Sequence, residues 1–167
     1  MIKRNIKTIS ALALTLALGT GVTIAHAQTS ETQPTKAKNP YASQIKSVRE
    51  SIKANGSTNK QLKESAKQKE KQIKDKIAQL KNDKTLKDKK DAIKAQREII
   101  KQDTKALKDL NVTLKSDEQN VKNDKSSKNY QQLLSDLNNI PTVQNQKMQA
   151  LQKLNTDLDA MINILGK

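Results

Sequence analysis

The 167-residue chain has 32 basic and 17 acidic side chains, a net charge of +15, with one histidine and no cysteine, tryptophan or phenylalanine. That excludes disulfides and thiol nucleophiles, and it leaves little for the common zinc ligands or the commonest general base. Four glycines and three prolines supply little turn chemistry, so long helices are favoured over many short strands.

In chain order, a basic head, Met1 to Lys7, precedes an apolar run from Ile9 to Ile24 that ends on Ala25-His26-Ala27. Basic, apolar and small-residue regions in that order predict a cleaved secretory signal peptide over residues 1–27. The mature chain then starts at Gln28, carries a net charge of +12 and keeps no histidine. No stable transmembrane segment is expected after cleavage. Residues 28–39 lack apolar periodicity and read as a disordered leader before a helical coiled-coil domain over 40–167.

The first helical segment starts at Asn39-Pro40, with Asn as cap and Pro in the first turn. Ile45, Val48 and Ile52 form its stripe, and Asn55-Gly56 predicts a stop. Thr58 to Gln61 has capping-box spacing and predicts a restart, followed by Leu62, Ala66, Ile73, Ile77 and Leu80. A turn is expected around Asn82-Asp83-Lys84.

The second segment opens with the cap-like Thr85-Leu-Lys-Asp88. Leu86, Ile93, Ile100, Leu107, Leu114 and Val121 then recur every seventh residue, the clearest coiled-coil signal in the chain. Its companion heptad position is mostly polar: Lys89, Gln96, Asp103, Leu110, Asp117. Ala92, Ile99 and Ala106 broaden the stripe on its other side. A second turn is expected at Asn123-Asp124-Lys125-Ser126.

The third segment carries Tyr130, Leu137, Leu151, Leu158 and Leu165 in one heptad position, and Leu133, Ile140, Leu154 and Met161 in the other. The phase runs through Pro141, which predicts a kink or an in-register restart there. Three segments of similar length joined by short turns predict an all-α fold, an elongated antiparallel three-helix bundle or coiled coil.

Charge is uneven. Residues 41–81 carry 11 basic and 4 acidic side chains, whereas residues 123–167 carry 5 and 4. Within the basic arm Lys60, Lys67, Lys74 and Lys81 repeat every seven residues, with Lys63 and Lys71 beside them. This ridge is the candidate polyanion-binding site; an ordinary solvated face has the same pattern. Only Arg49 and Tyr41 supplement it, so specific nucleic-acid reading is not expected.

Carboxylate pairs such as Glu64 with Glu70, or Asp117 with Glu118, lie among lysines without a predicted cleft. Ser43, Ser47 and Ser51 have no histidine to activate them. No catalytic, cofactor or metal residue is assigned. The expectation is a secreted or extracytoplasmic, non-enzymatic helical protein, with cell-wall association left open. Its expected partners are an anionic envelope polymer, lipid headgroups or an envelope protein, with self-association through the heptad seam. A small holdase-type envelope chaperone and a structural spacer or oligomerisation rod are the alternatives. The ridge is testable by changing Lys60, Lys67 and Lys74 to Gln, with Lys128, Lys147 and Lys153 to Gln as a charge-matched control.

Overall fold

The computed structural model describes residues 39–80 and 85–166. The expected signal peptide, most of the expected leader, the expected turn at Asn82-Asp83-Lys84, and Lys81 lie outside them. The described residues form α1 (Ala42–Gln79), α2 (Thr85–Asp88), α3 (Lys90–Ser127) and α4 (Tyr130–Gly166), with no strand among them. The protein is all-α.

α1 starts close to the expected place. The Asn39 side-chain oxygen accepts the Tyr41 N–H at 2.9 Å, and its carbonyl accepts the Ala42 N–H at 3.2 Å. The expected stop at Asn55-Gly56 does not occur, because α1 runs straight through it. Gly56 does not take the left-handed conformation that ends helices. A Cβ there would make only ordinary contact, 3.9 Å from Gln144 Nε2, so the approach of α4 does not require a glycine. Asn55 donates to Asn145 Oδ1 at 3.0 Å. The Thr58 hydroxyl donates back to the Ala54 carbonyl at 3.3 Å and so is not a cap.

The second segment is divided. Lys89, at φ −90° and ψ 0°, separates the single turn of α2 from α3. Leu86 still packs against the core. The expected turn at Asn123 to Ser126 is helical, and the chain reverses later, at Lys128-Asn129. There Lys128 takes a left-handed φ of 57°, Asn129 N–H donates to the Asp124 carbonyl and Lys128 N–H to the Lys125 carbonyl. This is a Schellman closure built on a lysine. Relief of the left-handed strain is offset by glycine's greater unfolded-state freedom. Lys128→Gly is therefore expected to shift stability by no more than about 1 kcal/mol in a thermal melt. Asn129 then caps α4, its side-chain oxygen accepting the Gln132 N–H at 3.2 Å. Pro141 sits inside α4, and the helix continues through it.

α4 packs along both α1 and α3, whereas the backbones of α1 and α3 scarcely approach one another. Asn55 meets Asn145 and Lys69 meets Asp159, so α1 and α4 run parallel. Gln96 meets Asp157 and Asp103 meets Lys153, so α3 runs antiparallel to α4.

The buried apolar residues form two clusters. One joins Ala66, Ile73 and Ile77 to Ile93, Ile100 and Leu107, and to Leu151, Leu154, Leu158, Met161 and Leu165. The other joins Ile45 and Leu114 to Leu133, Leu137, Ile140 and Val143. Ala92, Ile99 and Ala106 are exposed, so they do not widen the α3 stripe as expected. Tyr41 packs against the second cluster; Tyr130 is exposed.

Between the clusters lies a polar layer. Lys147 and Asn59 are only 6% and 7% exposed. Lys147 and Gln144 occupy the two heptad positions that the apolar pattern of α4 leaves vacant. Asn59 donates to the Gln144 carbonyl at 3.0 Å. Further along, Asn155 donates to the Leu62 and Leu151 carbonyls at 3.0 and 2.8 Å, tying α4 to α1.

Candidate functional site

Lys60, Lys67, Lys71 and Lys74 all project from the exposed side of α1. α1 holds them in one row because a seven-residue repeat is close to two helical turns. Lys67 pairs with Glu64 at 2.8 Å. Hydrogen bonding to Lys67 lowers the pKa of the exposed Glu64 carboxyl. The remaining three lysines of this row show no ion pair among the described residues. A shallow depression of about 370 Å³ beside the row is lined by Gln68, Lys71, Gln72, Asp75, Lys76 and Gln79.

Lys63 departs from the row. It is half-buried, and burial followed by the charge of Lys67 lowers its pKa. Its field reaches Lys147 in the polar layer. Burial, then Lys63, lowers the pKa of Lys147, against a supporting charge from Glu118. Lys81 lies outside the described residues. Four of the six candidate lysines therefore share one exposed strip, and one turns inward.

The nearby carboxylates are dispersed. Glu64 is exposed, whereas burial raises the Glu70 pKa against Lys74 and Lys67. Asp117 is half-buried and faces Asp136 on α4; Glu118 is exposed. Ser51 donates to the Ser47 carbonyl at 3.3 Å, a within-helix bond. Among the described residues no group of three or more histidine, cysteine or acidic side chains is placed to hold a metal ion. No described helix is long and apolar enough to cross a membrane.

Partly buried polar contacts between α3 and α4 escaped sequence reasoning. Gln96 donates to the Asp157 carbonyl at 2.8 Å, and Lys153 bonds Asp103 at 2.6 Å and Asp157 at 2.8 Å. Their signal was the polar companion heptad of α3, which reads in isolation as a weak stripe. Polar partners on α4 make it a second seam. This also removes the charge-matched control. Lys147 is buried and Lys153 bridges two carboxylates, so Gln at those positions would perturb the fold. Exposed Lys94, Lys105 and Lys115 of α3 are the suitable replacement.

Comparison with protein-family models, with curated proteins and with solved structures returned no match.

Proposed function

We propose that this chain is exported, loses residues 1–27 and works as a non-enzymatic, elongated antiparallel three-helix bundle. In this reading it associates electrostatically with anionic material of the cell envelope. The observation that carries the reading is the exposed row Lys60, Lys67, Lys71 and Lys74 on the most basic helix. Long helical packing holds the charges in line, so a linear anionic polymer meets several at once. Attraction of this kind needs positive charge but no aromatic platform, and α1 has none in its row. An anionic envelope polymer fits a row better than a compact ligand does, because among the described residues no enclosing wall stands opposite it.

Adsorption to isolated envelope material is the test. Lys60, Lys67 and Lys74 changed together to Gln should weaken adsorption several-fold at low salt while leaving helicity intact. Lys94, Lys105 and Lys115 changed to Gln remove equal charge from α3 and should weaken it less. Wild-type binding should fall steeply with salt, since the screening length shrinks from roughly 10 Å at 0.1 M to about 3 Å at 1 M. Equal loss in both triple variants would mean that net charge alone acts. No loss in either would remove the electrostatic reading.

A further inference from the structure

We infer that the α3–α4 hairpin is an acid-closed clasp: Asp117 and Asp124 on α3 face Asp136 on α4, and the end of the bundle tightens when this trio takes up a proton. Asp103, Leu110, Asp117 and Asp124 follow one another at seven-residue spacing on α3. That spacing places three carboxylates on a single line of the helix, along its α4 side.

The line meets acid at both ends. At one end Asp103 lies beside Asp157, and Lys153 bonds both. At the other, Asp136 of α4 acts on both Asp117 and Asp124, and among the described residues no ion pair includes any of the three. Oδ2 of Asp117 and Oδ2 of Asp124 are both shielded from solvent and have no hydrogen-bond partner among the described residues. Asp136 receives a hydrogen bond from Gln132 at 2.9 Å. A shared proton supplies what is missing: a donor between two acceptors that otherwise repel.

The neighbouring charges leave this conclusion intact. α1 meets this end of the bundle with Tyr41, Ile45, Val48 and Ile52. Its charged residues Lys46, Arg49, Glu50 and Lys53 do not enter among the charges acting on Asp117 or Asp124, nor do Lys122, Lys125 and Lys128 of α3 and its C-cap. The charge acting on both Asp117 and Asp124 is Asp136. Burial first, and Asp136 second, raises the pKa of each carboxyl. Folding therefore favours the protonated form. The stabilisation is complete below the unfolded aspartate pKa, roughly 3.9, and is lost as pH rises through the raised folded values.

Burial also raises the Glu70 and Asp103 carboxyls, so the variants isolate the trio. A chain with a strong positive net charge gains more charge on acidification, and self-repulsion should weaken it. The clasp acts in the opposite sense.

Melting temperatures of the purified protein from pH 4.5 to 8, in EDTA so that no divalent cation replaces the proton, provide the test. Tyrosine fluorescence reports this end alone, because both tyrosines, Tyr41 and Tyr130, lie at it and the chain has no tryptophan. Asp117→Asn with Asp124→Asn mimics the neutral state. It should raise the neutral-pH transition by a few degrees and flatten its pH dependence. Asp136→Asn should do the same by removing the common neighbour. Asp109→Asn, on the exposed side of α3, should do neither. The clasp is overturned if both seam variants keep the wild-type pH slope, if neither gains stability at neutral pH, or if Asp109→Asn gains as much.

Discussion

Ile100→Asp is expected to destabilise the protein by roughly 4 kcal/mol or more, while Lys101→Asp changes stability by less than about 1 kcal/mol. Ile100 is 2% exposed and belongs to the larger apolar cluster with Leu107 and Leu154. A carboxylate there loses the isoleucine burial and gains no partner. Lys101 sits one step round the helix with its side chain 72% exposed, 3.6 Å from Glu98. Replacing it loses a weak surface pair and sets two acids three residues apart, each a small effect. Urea or thermal melts of the two variants measure the difference. Equal midpoints would mean that α3 contributes no buried seam, contrary to its heptad and its packing.

The apolar seam was legible because its members repeat locally. Ile93, Ile100, Leu107 and Leu114 are buried, as their seven-residue spacing predicts. The α4 phase also continues through Pro141. What remained hidden depends on partners far away in sequence. Asn55-Gly56 has the composition of a helix stop, and the bond from Asn55 to Asn145 ties it to α4 within a continuous helix. Asn123 to Ser126 looks like a turn, but Lys128 and Asn129 supply the reversal. The lysine row followed from helical geometry alone. The inward turn of Lys63 did not, because its reason is the polar layer that α4 brings to it.

Together the two apolar clusters and the polar layer between them restrict how the helices can slide. Leucine and isoleucine seams tolerate a shift of one heptad. Asn155 bonded to the Leu62 carbonyl, and Asn59 bonded to the Gln144 carbonyl, do not. A one-heptad slip of α1 would carry Asn59 out of the polar layer and against an apolar cluster, at roughly 1–3 kcal/mol. Polar groups that add little net stability thus select one alignment.

Lys147→Met tests that division between stability and alignment, and it is expected to make the protein more stable, on the order of 1–3 kcal/mol at neutral pH. Methionine has nearly the length and shape of lysine without the charge. Lys147 is 6% exposed, and no ion pair among the described residues includes it. Its burial and the nearby Lys63 disfavour the charged form, with Glu118 opposing them. In the wild type, folding therefore favours loss of a proton from Lys147. Stability should rise as pH increases through the lowered folded pKa toward the unfolded value near about 10.4. The methionine variant should lack that alkaline rise and should show its largest advantage at lower pH. Melting curves across pH 6 to 10 compare the two proteins. A variant less stable than wild type at pH 7 would show that Glu118 more than compensates the buried ammonium, making the layer a net contributor to stability. If Met stabilises as expected, the lysine persists at a core position despite its energetic penalty. The polar layer then acts through alignment, favouring one register over its heptad-shifted neighbours without deepening the native minimum.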